Sequence, residues 1–208
     1  VLTIKELIDQ VGNDLQDKRA VRWTRTELLG YFNEAQRKFA KQRPDQMAGP
    51  VELDLAAGWQ QRLPAYVLAL IDITHNANRM AKRITKTAMW QLDALAPSWR
   101  GMGQAGDVLH FMWDSRSPKD FAVYPPAKPG AKVAAIVAKA PTDASTEDSE
   151  PGVPPQWMDA LRNYVMFRAY SKDAEYGGNT ELAAASLQLF NDALGVQVKA
   201  ANNVAPTN

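Results

Sequence analysis

What this sequence lacks narrows it first. It has no cysteine and only 2 histidines in 208 residues, which removes thiolate nucleophiles, iron–sulfur clusters, Cys-containing zinc sites and disulfide switches. It also lacks an excess of either charge. With 24 Lys plus Arg against 23 Asp plus Glu, the formal net charge is +1, without the global field of a dedicated nucleic-acid binder. Long apolar runs are missing too: the longest, Ala65 to Ile73, is interrupted by Asp72 and falls short of the ~20 residues that cross a bilayer. No charged-then-apolar leader opens the chain, so a soluble protein with no membrane partner and no secretion signal is expected. Nor is there a G-x-S-x-G elbow, P-loop, H-E-x-x-H or EF-hand loop, so no enzyme class suggests itself.

Proline organises what is present. Of the 13 Pro, 9 lie between Pro50 and Pro151, while the flanks read as helix. Thr3 with Glu6 and Thr24 with Glu27 each fit a capping box, which predicts helices over about 3–17 and 25–43. The second carries Leu28, Phe32, Ala35 and Phe39 on one stripe and ends at Pro44. Pro154 and Pro155 suit the first turn of a helix running from Gln156 to about Tyr176, whose apolar residues cover most of its circumference, as for a helix contacted on several sides. Gly177 and Gly178 break it. A last helix follows, with Ala183, Leu187, Phe190 and Leu194 as its stripe and Gly195 as its C-terminal cap.

The middle reads as strands at 51–55, 67–74, 83–85, 108–113, 121–124 and 132–139, with a short helix at 89–95, and Asp143 to Pro154 as a solvated connection. The expected fold class is therefore α+β: a bundle of four main helices, two N-terminal and two C-terminal, with a β-rich insertion. The domain reading assigns 1–48 and 153–195 to the bundle, 49–152 to the insertion and 196–208 to an extended C-terminal tail.

Candidate chemistry is sparse. Gly101 to Gly106 matches G-x-G-x-x-G, but the fingerprint needs a strand before and a helix after, and here a strand-like stretch follows. A nucleotide-binding enzyme using these glycines is the weaker alternative. His75 and His110 have no second ligand at metal spacing. Glu147, Asp148 and Glu150 lack the glycine turn of a calcium loop, so no metal and no cofactor is expected. Arg79, Lys82, Arg83 and Lys86 gather four cations in eight residues, a possible contact for DNA or an acidic partner, and a nucleic-acid-binding module built on 79–86 is the second alternative. No aromatic series accompanies them in the sequence. Val196, Val198 and Val204 alternate with polar residues, a segment able to order on a partner as an added strand or clasp.

Several phrases together carry a resemblance: Trp23-Thr24-Arg25-Thr26-Glu27-Leu28-Leu29, Ala96-Pro97-Ser98-Trp99, Phe121-Ala122-Val123-Tyr124-Pro125-Pro126, and above all the string Tyr164 to Tyr176. From about residue 23 to Gly195 the chain resembles the head-to-tail adaptor, or connector, proteins of tailed bacteriophages. The resemblance implies a non-enzymatic virion protein at the head-to-tail interface, made in the host cytoplasm. It further implies a ring of identical subunits, a dodecamer, docked on the portal protein and offering a platform to the next tail component, a nozzle or tube. Packaged DNA would pass through the channel without sequence recognition, and the C-terminal segment would reach onto the portal. A helix of ~20 residues spans ~30 Å, along which duplex DNA carries on the order of 18 phosphate charges. A nearly neutral subunit suits the passage of such a polyanion.

Overall fold

The computed structural model describes residues 2–77, 79–173, 175 and 177–204, with the backbone course alone for 79–81 and 196–204. The chain divides into two units, one combining residues 1–43 with 141–208 and the other made of residues 44–140.

In the first unit, Thr3 starts α1 (Ile4–Asp14) with a full capping box. The Glu6 amide donates to the Thr3 hydroxyl at 3.2 Å, and the Thr3 amide donates to the Glu6 carboxylate at 2.9 Å. Thr24 caps α2 (Arg25–Gln42) from the Glu27 amide at 3.3 Å, but the Glu27 carboxylate turns to Tyr31 and Lys172 instead, at 2.8 and 2.7 Å. Between the two helices Asp17 accepts three successive amides, those of Val21, Arg22 and Trp23, at 2.8 to 3.0 Å. These hydrogen bonds hold its carboxyl below the usual range.

α4 (Met158–Lys172) follows a 3₁₀ turn at Pro155–Trp157 and buries Met158, Ala160, Leu161, Tyr164, Val165, Met166 and Ala169. Because its apolar cover runs round most of its surface, α1, α2 and α5 (Asn179–Val204) all take it as neighbour. α5 lies on it through Ala183, Phe190 and Leu194, with Phe190 set edge-on to Tyr164 at 5.1 Å. α5 continues through Gly195 to Val204, so the chain is helical where a cap and an extended tail are expected; residues 205–208 lie outside the described residues.

The segment 141–153 belongs to this unit and is strapped along α2 rather than left in solvent. Asn33 donates to the Ala144 carbonyl and accepts from its amide, at 3.0 and 2.8 Å. The Gly152 amide donates to Gln36 at 2.6 Å, Arg37 pairs with Asp143, and Arg25 with Glu147. Gly152 is needed where the strap closes on itself. A Cβ there would stand 3.0 Å from Pro141 Cβ and 3.1 Å from the Thr142 backbone.

The second unit begins at the 3₁₀ turn Pro44–Met47 and holds β1 (Ala48–Asp54), β2 (Gly58–Arg62), β3 (Val67–Asn76), β4 (Arg79–Arg83), β5 (Thr85–Lys86), α3 (Met89–Leu95), β6 (His110–Trp113), β7 (Asp120–Ala127) and β8 (Lys132–Lys139). Two four-stranded sheets form, ordered β1-β8-β3-β4 and β2-β7-β6-β5. All pairings are antiparallel except β5 with β6. Along β8, Val133, Ala135 and Val137 point inward to meet Leu53, Val67, Leu70 and Ile73 of their own sheet and Phe111, Phe121 and Val123 of the other. The core therefore lies between the sheets. Asn76, 1% exposed, bridges into it by donating to the Val108 carbonyl at 2.9 Å and accepting from the Val108 amide at 2.8 Å.

The fold is α+β, but the expected bundle of four main helices with a β-rich insertion does not form. The described residues hold five α-helices and two sheets of four strands each. The reason lies in the packing: α4 is a hub for its helical neighbours instead of one wall of a shared four-helix seam, and α3 packs on a sheet.

Candidate functional site

Period-two alternation in the second sheet sends one set of side chains to the core and the other set outward: Trp59 from β2, Ala122 and Tyr124 from β7, Met112 from β6. α3 and the 3₁₀ turn Trp99–Gly101 cover part of this outer face, and Leu92 and Trp99 pack onto it. Trp99 is 0% exposed and meets Trp59 and Tyr124 edge-on, at 5.5 and 6.1 Å. Its indole N–H donates to Asp93 at 2.8 Å. The Arg100 guanidinium also bonds Asp93 and lies over Trp99 and Trp59. These bonds, Arg100 first, hold the Asp93 carboxyl below its ordinary range.

The rest of the outer face is an open cleft of about 970 Å³. Met112 and Ala122 form its buried floor, Trp59 lines it half-buried, Trp113 also lines it while packing against the core between the sheets, and Met89 and Trp90 stand exposed at the start of α3. Trp90 is 69% exposed, although nothing in α3 itself requires an indole there. The turn 114–117 closes the cleft, with Asp114 held by Arg116 at 2.5 Å and its carboxyl lowered to about 2, mainly by that hydrogen bonding.

The basic segment runs where the chain passes from one sheet to the other. Lys82 and Arg83 belong to β4, buried Ile84 anchors the crossing, and Lys86 lies in β5 with its ammonium 5.3 Å from the Trp113 ring. Lys82, Arg83 and Lys86 are exposed and have no ion-pair partner among the described residues; the Arg79 side chain lies outside them. Trp90 stands four residues after Lys86, but Trp59 and Trp113 are distant in the chain, so the sequence showed no aromatic series. Strand pairing collects Trp59 and Trp113 beside Lys86.

The other expected residues stay apart. Gly101 to Gly106 lead through a bridge at Ala105–Ala127 into β6, not into a helix, so the backbone amides of a dinucleotide turn are not assembled. His75 Nδ1 lies 2.9 Å from the Thr74 hydroxyl. His110 Nδ1 lies 2.6 Å from that of Thr85, and its ring stacks on Tyr124. Among the described residues no group of three or more His, Asp or Glu could hold a metal ion, and no helix is long and apolar enough to cross a membrane. Val196, Val198 and Val204 lie in the last turns of α5, and their side chains are outside the described residues.

The two longest phrases of the resemblance meet in space. Trp23 donates from its indole to the Ala169 carbonyl at 3.1 Å, Lys172 bonds Glu27, and Arg22 pairs with Asp173, whose carboxyl this bond lowers. Two turns further along α2, Glu34 accepts from Tyr164 at 2.9 Å and from Arg168. A family model described as SU10 adaptor protein matches residues 2–207. No curated protein matches the chain.

Proposed function

The chain belongs to the SU10 adaptor protein family, a phage head-to-tail adaptor family, and from that premise we propose that its copies close into a dodecameric ring that joins the portal to the tail and lets DNA through. Membership itself makes the chain a phage adaptor and a structural virion protein, and implies interaction with portal and tail components. It also suggests a structural rather than an enzymatic role. The ring, its copy number, synthesis in the host cytoplasm and the passage of DNA belong to the proposal.

The observation that carries the proposal is the family match over residues 2–207. Two physical facts support it. A net charge of +1 on 208 residues leaves no strong attraction to hold a genome in transit. α5 buries a single stripe, leaving Leu182 and Leu189 exposed on its open side, the kind of apolar surface a ring contact covers in each subunit in turn. The C-terminal segment carrying Val196, Val198 and Val204, in the last turns of α5, is the proposed clasp on the portal.

The test is to mix the purified chain with purified portal rings and view the products by electron microscopy. Rings decorated with a second coaxial tier are expected. Bare portal rings at micromolar adaptor would sink the reading. Deleting residues 196–208 should weaken decoration tenfold or more while leaving thermal unfolding of the rest unchanged, and undiminished decoration would remove the clasp.

A further inference from the structure

We infer that the cleft on the outer face of the second sheet docks an extended, acidic segment of a neighbouring virion protein, anchored by one bulky apolar side chain. The neighbouring protein as its source rests on the adaptor reading above. The chemistry of the occupant rests on the cleft.

The floor is apolar: Met112 and Ala122 are buried at its base, with Trp59 half-buried beside them, Trp90 exposed above, and Trp113 lining the cleft from the core side. Tryptophan and methionine at this density are what the desolvated centre of a protein interface uses. The face is already proven as an apolar platform, since α3 and Trp99 dock on its other part. The free part repeats that chemistry without a cover of its own.

Charge selects the kind of segment. Lys86 lies over Trp113 at the cleft and Arg62 lines it as well, both exposed and without an ion-pair partner among the described residues. Carboxylates flanking the anchor would find cations there, in contacts that set on-rate and register. Asp114 and Asp120 also line the cleft. The rim is therefore not uniformly positive, and a continuous polyanion such as a nucleic acid strand would meet repulsion that a peptide with localised carboxylates avoids.

The test pans a random peptide library on the immobilised full chain, then measures the selected peptides, dye-labelled, by fluorescence anisotropy, a signal that does not depend on the indoles of the chain. Enriched sequences should share one aromatic or large aliphatic residue flanked by Asp or Glu. Their affinity should fall at least tenfold on Trp90→Ser and on Lys86→Glu. Both positions are exposed, so circular dichroism and melting should not change, and both variants should still decorate portal rings while joining tails poorly in a complementation assay. Enrichment without acidic bias, or equal binding by the Trp90→Ser chain, would overturn the inference. So would saturable binding of dye-labelled oligo(dT) that Trp90→Ser abolishes, with no peptide selected, which would assign the cleft to single-stranded nucleic acid. Should the unmodified chain leave portal rings bare, the adaptor reading falls, and the peptide measurements still decide the chemistry of the cleft.

Discussion

Single residues hold this protein in ways that burial alone does not announce. Asn76 satisfies both backbone groups of Val108 inside the second unit. Asn76→Ala leaves a buried amide and a buried carbonyl without partners, each worth about 1–3 kcal/mol, so urea denaturation should show a loss of at least 2 kcal/mol. Gly152→Ala drives a Cβ against Pro141 and the Thr142 backbone, and a cost of roughly 1–3 kcal/mol is expected in the same measurement. Tyr31 is pushed up to about 12, chiefly by burial and then by its bond to Glu27. With the folded value raised above the ordinary ~10, the neutral phenol contributes stability that is complete below pH ~10 and lost as pH rises through about 12. Burial raises Tyr164 and Tyr170 as well, so phenolate absorbance should show a late-titrating step that Tyr31→Phe diminishes, and early titration of every tyrosine would contradict the burial. Asn76 and Gly152 carry no sequence signal of their importance, because each matters through what approaches it from elsewhere in the chain.

Among elements, the face between α2 and α4 gives the resemblance its physical meaning. Trp23, Glu27 and Glu34 on one side meet Ala169, Lys172, Tyr164 and Arg168 on the other. Glu34 and Arg168 are each about a third exposed, so a double-mutant cycle should return a coupling of about 0.5–1 kcal/mol and no more. The strap 141–153 is the less obvious element. Its Ser, Thr, Pro and acidic composition reads as a solvated linker, yet Asn33, Gln36, Arg37 and Arg25 of α2 take up its polar groups. Asn33→Ala should free it, seen as faster cleavage within 141–153 under limited proteolysis while the helices stay protected. β2 escaped sequence reading because Gly-Trp-Gln-Gln-Arg has no β-branched residue. It is a strand because it pairs with β7 and because Gln61 satisfies the Ala56 amide and carbonyl and the Gly58 carbonyl.

At the scale of the whole molecule, each unit has a core of its own, one around α4 and one between the sheets. Leu161→Ala, at a fully buried position of α4, should cost about 2–5 kcal/mol. Hydrogen exchange should locate the loss in 2–43 and 141–195 while the β8 amides keep their protection, and uniform loss would mean that the units unfold as one.

The sequence by itself determined the local elements whose signals are local: the capped starts of α1 and α2, the strand β8 between its turn formers, α3, and the many-sided apolar cover of α4. Through its ordered phrases it also pointed to a family, which the match over residues 2–207 shows. Tertiary structure alone decided that the helices gather on a hub, that the middle closes as two sheets, and that Trp59 and Trp113 share a cleft with Lys86. Periodicity and capping act over a turn or two of chain, whereas cross-strand neighbours are fixed only when loops close over tens of residues, and no spacing within one segment encodes them.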